Sequence, residues 1–234
     1  MIFEGEFLSI ENAVFFNNDP LQDAVAKWFL SHRLHYYSSG DSAKYVPNAF
    51  VNYSEVLNRS LFSKWCRTLK ALDISFNMVL YCLSNIGLPV DCKCAFLIES
   101  FIPLAERISS VRSIKLPKVK KNESELQKYL IWMLELYGDP LLSAECSANL
   151  DKFAHILTNS RNRIAHVRSR QGKLFLDGSE SALYLLKLSY FYRHILFSLL
   201  GIDSSKYMDK ILDSVSAFVH KFGIQDEFIN KLET

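Results

Sequence analysis

The sequence predicts a mostly α-helical bundle, and three observations carry that prediction. Apolar residues recur at three- and four-residue steps through most of positions 58 to 234, the spacing that lays one apolar stripe along a helix. Glycine and proline fall mostly between those stripes, as at Gly87-Leu88-Pro89, Gly138-Asp139-Pro140 and Gly201. Finally, 234 residues at 49% hydrophobic and 22% charged describe an ordered chain, long enough to bury a substantial core.

Taken in order, positions 2 to 16 alternate only partly (Phe7, Ile10, Val14, Phe15, Phe16) and read as a short strand or an irregular arm. Asp19-Pro20 then suits the start of a helix carrying Leu21, Val25, Trp28, Phe29 and His32. Residues 1–57 together form an N-terminal arm or helical extension, less regular than the remainder of the chain. The helical domain, 58–234, opens with a long helix from about Ser60 to Asn85, striped by Leu61, Trp65, Leu69, Leu72, Phe76 and Val79. A second begins near Asp91 and runs through Phe96, Leu97, Phe101, Leu104 and Ile108. Pro103 inside it predicts a kink or an early break.

Ile114 to Asn122 is a basic linker. Asn122 or Ser124 then caps a helix bearing Leu126, Tyr129, Leu130, Met133, Leu134 and Tyr137. Ser143 to Thr158 forms the next helix, and a separate one starts near Asn159 or Ser160. Lys173 to Leu176 is a brief extended segment. Two long helices come after it, from about Glu180 to Leu200 and from Ser204 to Phe222, with a last short turn over Asp226 to Leu232. No repeat and no low-complexity segment interrupts this order.

Charge and cysteine content narrow the function. A net charge of +2 makes the whole molecule no magnet for polyanions, so affinity for nucleic acid must come from local clustering. Two acid-free basic runs exist. Arg107 to Asn122 reads as a solvated face, whereas Lys152 to Leu176 surrounds the one segment with evident chemistry. Five cysteines, an odd number in mostly apolar helical contexts, fit free thiols in a reducing cytoplasm. The Met1 end lacks a secretory pattern, and no apolar run spans a bilayer, so no membrane association is expected.

That segment is Arg161-Asn162-Arg163-Ile164-Ala165-His166. A guanidinium holds a phosphate with a planar fork of donors, and an imidazole exchanges protons near neutral pH. Asn162 and His166 stand at i and i+4, so the amide can orient the ring. Arg161 and His166 lie about 140° apart on an ideal helix and converge only if Arg161 sits at a frayed N-terminus or its stem wraps round. Such an N-terminus would add backbone N–H groups for a phosphate. The plain alternative has Arg161 and Asn162 capping neighbouring helices while His166 packs in the core.

In its helical setting the segment resembles the HEPN superfamily (higher eukaryotes and prokaryotes nucleotide-binding domains). Its ribonucleases carry Arg, four to six residues, then His, most often with Asn directly after Arg; Arg161, Asn162 and His166 match position for position. A weaker resemblance to the ApeA-like HEPN group spans roughly residues 58 to 200, through Phe62-Ser63-Lys64-Trp65, Phe96-Leu97-Ile98-Glu99 and the long aromatic helix after the motif. The resemblance implies a HEPN-like up-and-down bundle with additional helices and a short N-terminal arm. It implies metal-independent cleavage of RNA, with no cofactor, by a bacterial antiviral defence or toxin effector.

Under that resemblance Arg161, Asn162 and His166 are catalytic, and Arg163, Arg168, Arg170 and Lys173 guide the RNA backbone. One motif supplies one imidazole, so the resemblance also implies a homodimer whose two motifs share a cleft. Arg168 stands where antitoxin-controlled HEPN toxins have tyrosine, so control through that tyrosine is not expected. The competing expectations are a non-catalytic HEPN-like module binding RNA, a nucleotide or a protein, and a helical scaffold whose basic loop meets an acidic protein.

Other candidates carry less. Glu99, on an otherwise apolar helix face, is expected to pair with a buried arginine rather than to be catalytic, and His155 to pack or lie at the surface. His32 and His35 lack a third metal ligand, and Cys92-x-Cys94 lacks zinc spacing. No metal site is expected.

Overall fold

A computed structural model of the chain describes residues 51, 58–83, 87–166 and 172–234. The expected strand or arm at 2–16, the helix after Asp19-Pro20 and the His32/His35 pair lie outside the described residues, as do Arg168 and Arg170. What is described is a mostly α-helical bundle with no strand among those residues. Its elements are α1 (Arg59–Leu83), α2 (Val90–Glu99), α3 (Phe101–Arg112), α4 (Glu125–Tyr137), α5 (Ser143–Ala165) and α6 (Gly178–Leu200). A 3-10 turn (Ser204–Lys206), α7 (Met208–Phe222) and α8 (Gln225–Glu233) complete it.

Local chemistry sets most boundaries. Asn58 Oδ1 accepts the Leu61 N–H at the start of α1, and Ser124 Oγ accepts that of Gln127 at the start of α4. Asp177 and Glu180 form a reciprocal capping box on α6. Gly201 ends α6 with φ 80, a conformation that a Cβ would strain. The break expected from Pro103 falls at Ser100, between α2 and α3. Proline sits three residues into α3, within the first turn, where its missing N–H leaves no helical bond unmade.

One boundary departs from expectation. No helix begins at Asn159 or Ser160, because α5 runs on to Ala165. The side chains that would have capped a new helix are bonded elsewhere. Thr158 and Ser160 donate their hydroxyls to the carbonyls four residues back, at Ala154 and Ile156. The interruption in α5 lies instead at Asn149, whose backbone is extended and whose Oδ1 accepts the Lys152 N–H. The Lys173 to Leu176 segment forms no strand; Asn159 Nδ2 donates to the Leu174 carbonyl, and the Leu176 N–H donates to Ser160 Oγ. Thus the residues read as a helix start hold a loop against the helix instead.

The centre of the bundle is α6, buried on nearly every side, with α2 lying against both α6 and α5. Aromatic clusters fix its two halves. Phe153, Tyr184 and Phe228 join α5, α6 and α8, while Phe101 meets Phe191 and Tyr192 where α3 begins. Among the cysteines, Cys82 and Cys94 are buried and Cys66 is exposed. Burial pushes the Cys82 thiol up to about 12 and Cys94 higher still, which leaves both as inert packing groups. No helix among the described residues is long and apolar enough to cross a membrane.

His194, inside α6, shares a 2.8 Å hydrogen bond with the Tyr207 hydroxyl, and Tyr137 packs edge-on to its ring. Burial lowers its pKa from 6.5 to about 4. The unfolded chain therefore binds this proton at a higher pH than the folded one does. Stability from the neutral ring is fully present above pH 6.5 and is lost as pH falls toward 4, by on the order of 3 kcal/mol. Urea unfolding at steps from pH 7.5 to 4 is expected to show that decline, with a shallower slope in His194→Gln. An equal slope in the variant would remove His194 as its source.

Candidate functional site

The site is built where the last turns of α5 pass the end of α2. Arg161 leaves α5 toward α2 and meets Glu99 there in a two-pronged ion pair. Its Nε donates to Oε2 at 2.5 Å and its Nη2 to Oε1 at 2.8 Å. Nη1 donates to Asn162 Oδ1 at 2.8 Å. An arginine has five N–H donors; these bonds leave one N–H on each Nη outside the array. Arg161 and Glu99 keep about a quarter and a third of their side-chain surface exposed (24% and 33%), so an incoming anion can reach them. Glu99 is therefore paired with an arginine as expected, but that partner is the motif arginine itself and is half-exposed, not buried.

His166 is exposed and lies just past the final helical residue, with φ −105 and ψ 0, its N–H donating to the Asn162 carbonyl. The alternative in which His166 packs in the core is overturned. So is the expectation that the motif opens a helix. Because α5 continues through it, this end presents backbone carbonyls, and no helix N–H groups are available there for a phosphate. Any anion must be held by side chains. Arg163, in the last turn, lies over the Phe175 ring with 4.2 Å to its centroid, a cation–π contact that directs it along the 173–176 loop. Lys173 on that loop is exposed, and Ile164 is only half-buried.

The structure thus brings together Arg161, Asn162 and Glu99, with His166 at the same helix end and Arg163 and Lys173 beside it. One further group is invisible as a site residue in the sequence. Phe96 precedes Glu99 by three residues on α2 and is 41% exposed, although the rest of that helix is buried or half-buried. Its only signal is the i, i+3 spacing to Glu99. His155 lies at the surface two turns before Asn162 on α5, and its Nδ1 shares a 3.3 Å hydrogen bond with Gln127 Oε1. In the other basic run, Arg107 donates to Thr68 Oγ1 and Arg112 to Ser198 Oγ, so these two arginines tie helices together. Among the described residues no group of three or more His, Cys, Asp and Glu side chains is placed to hold a metal ion.

Comparison with protein-family models, with curated proteins and with solved structures gave no match.

The two-pronged geometry makes a measurable coupling between α2 and α5. A double-mutant cycle of Glu99→Gln and Arg161→Gln, read by urea unfolding, is expected to give about 1 kcal/mol. A coupling of zero would show that the pair adds nothing to stability.

Proposed function

We propose that this protein is a metal-independent endoribonuclease of HEPN type, with Arg161, Asn162 and His166 as its reacting set. The observation that supports it best is a clamped guanidinium and an exposed imidazole carried by the same end of α5. Glu99 fixes the guanidinium in orientation before substrate arrives, and charge organised in advance is what stabilises a phosphorane-like transition state. In the reaction the ribose 2′-oxygen attacks the adjacent phosphorus while a base takes its proton. The 5′-oxygen leaves and receives a proton from an acid, giving a 2′,3′-cyclic phosphate and a 5′-hydroxyl.

His166 acts as base or acid, and the complementary group comes from the same residue of a second copy in a homodimer. Arg163, Arg168, Arg170 and Lys173 guide the RNA backbone, and Phe96 offers a face on which an unpaired base can stack. The setting proposed is a bacterial cytoplasm, where the chain works as an antiviral defence or toxin effector.

One observation favours a second reading, a non-catalytic module that binds RNA, a nucleotide or a protein. Glu99 already neutralises Arg161, which lowers the pull of this site on a phosphate. Digestion of single-stranded RNA in EDTA separates the two. Cleavage to 2′,3′-cyclic ends is expected for the unmodified protein, with losses of about 10² or more in His166→Ala and Arg161→Ala. RNA binding without cleavage in the unmodified protein would establish the module instead.

A further inference from the structure

The later half of α3 leads away from Glu99 and the Arg161 site and meets the start of α1 and the last turn of α6. Three contacts define this corner. Arg107 Nη2 donates to Thr68 Oγ1 at 3.2 Å, Arg112 Nη2 to Ser198 Oγ at 2.7 Å, and Lys64 Nζ to the Leu200 carbonyl at 3.5 Å. Lys64 and Thr68 stand one turn apart on α1, and Ser198 and Leu200 share the last turn of α6. Arg67 follows Lys64 by three residues and adds a fourth, exposed cation to that side of α1.

Among the described residues none of these four cations has a carboxylate partner. Arg107 is half-buried, and its buried Nε has no acceptor. Burial and the nearby Arg67 guanidinium both hold its pKa below the ordinary arginine value. The carbonyl end of α6 accounts for Lys64 and Arg112, because cations settle at such ends. It does not account for Arg67 beside Arg107, two like charges with no anion between them. Glu106, next to Arg107 in the chain, lies instead toward Tyr129, whose pKa burial, Glu125 and Glu106 all raise. A cavity of about 330 Å³ opens beside Lys64, between the start of α1 and the turn after Gly201. Ser60, Lys64 and Lys206 offer donors on its lining, while Asp203, its one carboxylate, already accepts the Ser205 N–H at 3.0 Å.

We propose that this corner binds an oligophosphate, a compact chain of linked phosphates carrying three or more negative charges. Lys64 is common to the cavity and to the cation cluster, so an anion seated on it meets both. Guanidinium forks match phosphate oxygens, and several unneutralised cations in one place suit a ligand that concentrates its charge. A single phosphate leaves most of them unmatched. A nucleic-acid strand carries one charge per nucleotide and spreads it along an extended backbone, which fits a concave pocket less well. The inference is independent of the nuclease reading, because none of these residues belongs to the Arg161 site.

The test titrates the full chain with inorganic tripolyphosphate by calorimetry at physiological ionic strength. Inorganic phosphate and citrate serve as comparators, and an oligothymidylate, which has no 2′-hydroxyl to attack, serves as competitor. Saturable binding of tripolyphosphate is expected, with phosphate and citrate weaker by about tenfold or more. Lys64→Gln and Arg67→Gln, both at exposed positions of α1, are each expected to weaken it by about tenfold. Lys118→Gln/Lys121→Gln removes exposed charge from the linker before α4 and is expected to leave binding unchanged. Circular dichroism checks the fold of every variant. No saturable binding, equal binding of phosphate or citrate, or displacement by oligothymidylate would each overturn the proposal. So would undiminished binding in the folded α1 variants, or an equal loss in the linker variant.

Discussion

The burial of α6 is the constraint on which the rest of the structure depends. A helix enclosed on nearly every face must offer its neighbours an almost continuous apolar surface. This one also carries Lys187, Arg193 and His194 into the interior. Two of these polar groups meet a partner on another element, and the third lies over a ring of α6 itself. Lys187 meets Glu145 on α5, His194 meets Tyr207 just after the 3-10 turn, and Arg193 lies over the Tyr190 ring. The orientation of α5 and the return of the chain after Gly201 both follow from meeting these demands.

Because α5 is fixed against α6 at Glu145 and against α2 at Glu99, its two ends acquire different chemistry. The early end carries an ion pair buried in the core. The late end is half-exposed and strongly basic, with one carboxylate holding the arginine in register. The same pairing of opposite charges thus does different work at each end. In the core it neutralises charge that could not otherwise stay there. Near the surface its energy is small, and its value lies in fixing the direction of a guanidinium.

The helix-ending His166 changes what the local backbone contributes. Carbonyl groups at this end repel an anion, so the case for a phosphate there rests on side chains alone. Arg161, Arg163 and Lys173 supply that charge from α5 and the loop beyond it. The loop in turn is held by Asn159 and Ser160. Those two residues link the packing of α5 to the placement of the basic edge.

Fold class and most helix limits are legible in the chain alone, because they depend on local periodicity, caps and turn residues. Leu61 to Val79, Ser124, Asp177 with Glu180, and Gly201 are such signals, each acting within a few residues of itself. Where Arg161 points is settled only by packing in three dimensions, since its carboxylate partner is 62 positions away. Packing also settles that α5 runs on through Thr158 and Ser160. Their hydroxyls can cap a helix or back-bond within one; here both back-bond, and Ser160 Oγ also accepts the Leu176 N–H from the loop. The Glu145–Lys187 pair is equally hidden, because nothing local in either residue says that burial awaits it.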